Sequence, residues 1–154
     1  MKTFKLFVLF LIINFGALAL GSWLMNNGPL DTWYLQLNKA PWTPPGWVFG
    51  FAWSTIMICF SIYLAFLFKE NISKHLVAVY TFQVFINVIW NYIFFNQHMI
   101  GLGLVVIILL AILIFYFFFK FKFTHVHYLK FLLLPYMIWL CIAISLNAYI
   151  YLNN

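Results

Sequence analysis

The long apolar stretches of this 154-residue chain are broken by a few amides and indoles, and these recur at regular spacing. Gln83, Asn87, Trp90, Asn91 and Phe94 stand at offsets 0, 4, 7, 8 and 11, which is one face of a helix. Tyr136, Trp139, Ala143 and Asn147, at offsets 0, 3, 7 and 11, form a second such face. Trp53, Met57 and Ser61 form a third, and Asn14 stands alone in the first apolar stretch. These residue types suit recognition better than bond-making. Indoles offer flat π faces, and amides offer oriented donors and acceptors. Together they suit a flat, mostly apolar ligand with few polar groups. A plainer reading is that the amides bond across helix interfaces, and for Asn14 or Asn147 taken singly it is the better one. Indoles acting only as headgroup anchors would cluster at span ends. Trp23 and Trp47 fit that role, whereas Trp53 and Trp139 lie deeper.

Several other chemistries are excluded. Asp31 and Glu70 are the only acids, and the layout below sends them to opposite sides of a membrane. They form no carboxylate pair for glycosidase-type or protease-type catalysis. No P-loop or dinucleotide glycine fingerprint is present. His125-x-His127 has metal-ligand residue types but no carboxylate or cysteine nearby, so it reads as a solvated loop and no metal site is assigned. No histidine lies mid-stretch, so buried axial haem ligation by histidine has no candidate and no cofactor is required. Cys59 and Cys141 read as small buried thiols rather than a disulfide.

The elements that must position these faces follow from composition. The chain is 67% hydrophobic and 6% charged, against about 25% charged in a soluble domain. A surface so poor in charge faces lipid. Five runs, approximately 4–24, 46–68, 76–95, 100–119 and 129–150, reach the roughly 20 apolar residues that a spanning helix needs. They are too long for strands and lack the alternation of a barrel. The expectation is a single domain over 1–154: an all-α integral membrane protein, a five-transmembrane-helix bundle with a lid loop at 25–45.

Seven lysines (Lys2, Lys5, Lys69, Lys74, Lys120, Lys122 and Lys130) fall on one side of that layout and only Lys39 on the other. This bias puts the N-terminus in the cytoplasm, with the C-terminus and loop 25–45 outside. The net charge of +6 therefore reads as a topology signal, and no nucleic-acid partner is expected. The opening "MKTFKLFVLFLIINFGALALG" also resembles a signal peptide, but its apolar run reaches Leu24, which favours a retained helix. Ala17 and Gly21 within it are spaced for close helix approach.

Loop 25–45 holds four of the five prolines. Asp31 is placed to cap a short helical turn, and Pro45 to sit in the first turn of the second span. "PWTPPGW" cannot be helical, because proline removes donors and pushes the preceding residue toward extended backbone. Proline-rich chain is stiff, so the segment reads as a rigid, Trp-studded cover.

The blocks "WYLQLNKAPWTPPGWVFGFAW", "NVIWNYIFF" and "PYMIWLCIAISLN", in that order over roughly residues 30–150, resemble the TspO/MBR family of tryptophan-rich sensory and translocator proteins. The resemblance implies a five-helix bundle, often a dimer, that binds porphyrins, haem-related tetrapyrroles or sterol-like hydrophobic ligands. It carries three functional expectations: a receptor or carrier, a catalyst of light-dependent porphyrin breakdown with Trp53 and Trp139 as catalytic candidates, or a transporter of other cargo. The implied pocket maps onto Tyr34, Trp42, Pro44 and Pro45 in the loop, and onto Trp53, Asn87, Trp90, Trp139, Ala143 and Asn147 in the spans. Lys39 and His98 are the cationic candidates for contacting porphyrin propionates. The chain also departs from the family. The proline of the usual Lys-Pro-x-Trp is shifted in Lys39-Ala40-Pro41-Trp42. Met57 stands where a tyrosine is usual, Val106 where an aspartate is frequent, and the sequence closes on "AYIYLNN" without the arginine-containing sterol consensus of animal members. Loose L/V-x-Y-x-K matches remain at Leu30–Tyr34–Lys39 and Val126–Tyr128–Lys130.

Overall fold

The computed structural model describes residues 2–121, Phe123 and residues 127–154. The Lys122 topology lysine, His125 of the His-x-His pair and Val126 of the second sterol-like pattern lie outside the described residues. Five helices are long and apolar enough to cross a membrane, and among the described residues there is no strand. In chain order the helices are α1 (Lys2–Leu24), the short α2 (Thr32–Gln36), α3 (Gly46–Glu70), α4 (Lys74–Asn91), α5 (Ile100–Lys120) and α6 (Leu134–Asn153). A 3-10 turn (Gly28–Leu30) precedes α2, a π-helical turn (Tyr92–Asn96) extends α4, and a 3-10 segment (His127–Leu133) leads into α6.

The five long helices close into a ring. α1 packs on α3 and α4, α5 packs on α4 and α6, and α3 packs on α6. Local signals set the corners. The Ser73 hydroxyl accepts from the Leu76 N–H at 3.1 Å, starting α4 after a gap of three residues from α3. Pro135 sits in the first turn of α6, where its missing donor costs nothing. Pro45 is the N-cap of α3 rather than part of its first turn, one position earlier than the sequence suggests.

The interior of the half toward the lysine-rich end is packed with large apolar side chains. Phe60, Tyr63, Leu64, Ile114 and Phe117 are fully buried there, with ring centroids of 5.8 Å for Phe60–Phe117 and 5.4 Å for Tyr63–Phe123. A closed polar chain crosses this half. The Tyr80 hydroxyl donates to Asn14 Oδ1 at 2.9 Å, Asn14 Nδ2 donates to Ser61 Oγ at 2.9 Å, and Ser61 Oγ donates to the Met57 carbonyl at 2.6 Å. Asn14 is thus satisfied glue between α1, α3 and α4. Ala17 and Gly21 are buried inside the chain; a Cβ on Gly21 would lie 2.6 Å from Asn91 Nδ2. Close approach here serves α1 against α4. With Asn14 and Gly21 both in use, α1 is an integral wall of the bundle.

Candidate functional site

The opposite half of the bundle is built differently. Its floor is a layer around Tyr136 on α6. The Tyr136 hydroxyl accepts from Gln83 Nε2 of α4 at 3.0 Å, and its ring meets Trp53 of α3 edge-to-face at 5.8 Å. Trp53 lies seven residues into α3, Gln83 nine into α4 and Tyr136 two into α6. From that floor α4 and α6 rise toward the loop side, carrying Asn87 and Trp90 on one wall and Trp139, Ala143 and Asn147 on the other. The faces read from sequence spacing do turn inward. Asn87, Trp139, Ala143 and Asn147 are buried, and Trp53 and Trp90 are half-buried.

The aromatic residues form two groups. On the first wall Trp90 stacks on Phe94 at 5.4 Å and 10°, and Phe94 is touched edge-on by Trp33 at 5.8 Å and Tyr34 at 6.3 Å. On the second wall Trp53 meets Tyr136, and Phe49 meets Trp139 edge-to-face at 5.2 Å. Among the described residues no ring contact joins Trp90 to Trp53 or Trp139.

The first wall depends on the π-helical turn. The Gln97 N–H reaches the Tyr92 carbonyl at 2.9 Å, five residues back. The extra residue turns Phe94 fully inward. Gly103 on α5 makes room for it, since a Cβ there would lie 2.9 Å from the Phe94 ring and 3.2 Å from Phe94 Cβ. The same distortion lets Asn96 Nδ2 donate to the Leu24 carbonyl at the end of α1, at 3.2 Å.

Among the described residues, three buried polar atoms in this half find no partner: Gln83 Oε1, Trp90 Nε1 and Asn147 Oδ1. Asn147 Nδ2 donates only within its own helix, to the Ala143 carbonyl at 3.0 Å. The contrast with Asn14 is physical. Asn14 uses both ends of its amide across helices; Asn147 ties down one end and points a bare acceptor inward. An unsatisfied buried group costs about 1–3 kcal/mol, and such groups in native structures mark strain, a ligand or a water.

The loop is pinned over this half at several points. Asp31 Oδ1 accepts from the Trp33 N–H at 2.8 Å and caps α2, as its position in the sequence suggests. Lys39 Nζ donates to the Tyr34 and Leu35 carbonyls at 3.0 and 3.2 Å and lies 4.8 Å from the Tyr34 ring centre. It closes the end of α2, so two of its three protons are committed. Burial pushes the Tyr34 phenol above its ordinary value of 10.0. Trp42 is 55% exposed, donates from Nε1 to Ser145 Oγ at 3.2 Å and rests edge-on against Tyr149. It is a strut onto α6. Pro44 is half-buried and Pro45 exposed. Asn38 exchanges hydrogen bonds with the end of α6: its N–H donates to Asn154 Oδ1 at 2.9 Å, its Nδ2 to the Asn153 carbonyl at 3.0 Å, and its carbonyl accepts from Asn154 Nδ2 at 3.2 Å. Across the rim, exposed His98 stacks on Trp33 at 4.0 Å and 12°. Sequence spacing placed Gln83 and Tyr136 on the right faces without marking them as ligand contacts. Asn38, Ser145, Asn153 and Asn154 gave no signal, because ordinary surface amides and hydroxyls look the same.

The fold and site together define a class: a multi-pass α-helical membrane protein with a Trp-lined, loop-covered upper half. The profile of the TspO/MBR family matches residues 7–152, and the chain belongs to that family. It is 32% identical over 129 residues to the tryptophan-rich protein TspO of Archaeoglobus fulgidus, covering 81% of this chain and 82% of that one. It is 28% identical over 127 residues to the human translocator protein, covering 79% and 75%. It is 36% identical over 72 residues to protein CrtK of Rhodobacter capsulatus, a match that spans 44% of this chain and only 45% of CrtK.

Proposed function

We propose that the chain is a membrane receptor or carrier that takes up a porphyrin or similar tetrapyrrole between its two aromatic walls, beneath loop 25–45. The observation that carries this reading is the set of unpartnered atoms, Trp90 Nε1 on one wall, Asn147 Oδ1 on the other and Gln83 Oε1 at the floor. One donor and two acceptors suit a neutral macrocycle core with few polar groups. Trp53, Trp90 and Trp139 offer π faces and edges to its plane. Asn87 and Ala143 complete the walls, and Tyr34 closes the loop side. The propionates lie at the rim, toward His98 and the remaining proton of Lys39. Because the three polar atoms are sealed from solvent, the walls part to admit the ligand, and pins such as Trp42–Ser145 set how easily the loop follows. The lysine bias supports a topology with this rim outside and the N-terminus in the cytoplasm.

A thermal-shift screen in detergent tests the proposal, with protoporphyrin IX, haem and a sterol offered to wild type and Trp139→Ala. Protoporphyrin raises the melting temperature of wild type and raises that of the variant less. Equal shifts in both proteins, or a response to the sterol alone, would refute it.

A further inference from the structure

We propose that the lysine-rich end of the bundle carries a separate site for one anionic phospholipid, in a groove between α1 and α3. Thr3, Phe4 and Phe7 of α1 and Ile62, Ala65 and Phe66 of α3 line a groove of about 270 Å³. It is far from the tryptophan walls, at the opposite end of α3 from Trp53. Ala65, buried at 1% exposure, contributes only a methyl to the lining beside Ile62 and Phe66. Phe4 is 69% exposed and forms an open outer edge, so the groove faces the bilayer.

Charge identifies the occupant. Lys69 is exposed and follows Ile62, Ala65 and Phe66 by seven, four and three residues, so it stands on the groove face about one turn nearer the helix end. The Thr3 hydroxyl is at the same end on α1. Lys2 and Lys5 rise from the first turns of α1, and the only acid at this end of the two helices is Glu70. An acyl chain gains little from an apolar groove when the surrounding tails are equally apolar. Selection therefore comes from the headgroup: a phosphodiester carrying net negative charge, set against Lys69 and Thr3, with one acyl chain lying along Ala65. The exposed carbonyls at the end of α3 and the Glu70 carboxylate disfavour an anion there, so the site depends on its lysines. Each lysine near an anionic surface contributes about fivefold.

The test uses the full chain in nanodiscs of equal dioleoylphosphatidylcholine and dioleoylphosphatidylglycerol, released for native mass spectrometry. Wild type retains one phosphatidylglycerol in preference to phosphatidylcholine. Lys69→Gln lowers that preference about fivefold, and Lys120→Gln, on α5 away from the groove, leaves it unchanged. Ala65→Leu enlarges the side chain in the lining and lowers retention of both lipids. Equal retention of the two lipids by wild type would overturn the proposal. So would an equal loss in Lys69→Gln and Lys120→Gln, which would mean diffuse surface charge.

Discussion

Replacing Asn147 by leucine should stabilise the ligand-free protein and weaken its ligand binding. The side chains are close in size. The substitution removes the bare acceptor Asn147 Oδ1, whose burial costs about 1–3 kcal/mol. It also removes the bond from Nδ2 to the Ala143 carbonyl, worth about 0.5–1.5 kcal/mol. That carbonyl keeps its backbone partner within α6, so nothing new is orphaned. The balance is about 1 kcal/mol in favour of the variant, or roughly 2–4 °C in melting temperature for a chain of this size. Asn14→Leu is the control. It breaks the bonds to Ser61 and from Tyr80, and interhelical bonds of this kind are worth about 0.6 kcal/mol on average and at most about 1.7. Its melting temperature therefore falls. The assay is thermal unfolding in detergent followed by circular dichroism, with protoporphyrin affinity measured in parallel. Asn147→Leu loses about one hydrogen bond to the ligand, roughly 2–10-fold in affinity, while Asn14→Leu keeps wild-type affinity. If Asn147→Leu melts earlier than wild type, as Asn14→Leu does, Asn147 is structural glue and the reasoning from its unpartnered oxygen is wrong.

Other outcomes follow from the same geometry. Gly103→Val places a Cβ against the base of Phe94, and overpacking of that kind costs about 1–3 kcal/mol; the variant should melt earlier and bind porphyrin less tightly, because Phe94 carries Trp90. Asn38→Ala removes its side-chain bond to the Asn153 carbonyl, so amide exchange across 31–45 should quicken with little change in melting temperature. Trp53→Phe and Trp139→Phe should each weaken protoporphyrin binding by roughly 2–10-fold, the equivalent of one aromatic pair, as read from quenching of the remaining tryptophans. Unchanged affinity in both variants would remove the ligand from those walls.

The spans were legible because a bilayer imposes a length and an apolar composition that few other environments demand. Helices α1, α3 and α5 begin and end within about two residues of the runs read from sequence. The short α2 was legible for a local reason: Asp31 caps it with its own side chain. The π-helical turn was not. "YIFFN" has the composition of continued helix, and the distortion is fixed by tertiary partners, Gly103 beneath Phe94 and Leu24 beside Asn96. The inward faces of α4 and α6 followed from periodicity, but the roles of their amides did not. Asn14 and Asn147 look alike as lone asparagines in apolar helices; only their partners show that one is closed and the other open. Lys39 looked like a free cation, whereas the end of α2 holds its ammonium. Long-range pins such as Asn38 to Asn153 and Asn154 join residues far apart in the chain and left no pattern to read.

The most direct measurement is an experimental structure of the full chain with protoporphyrin IX in a lipid environment. The account predicts the macrocycle between the α4 and α6 walls under loop 25–45, with polar atoms within hydrogen-bond reach of Trp90 Nε1 and Asn147 Oδ1. A macrocycle seated on the lipid-facing surface, with those two atoms still unpartnered, would contradict it.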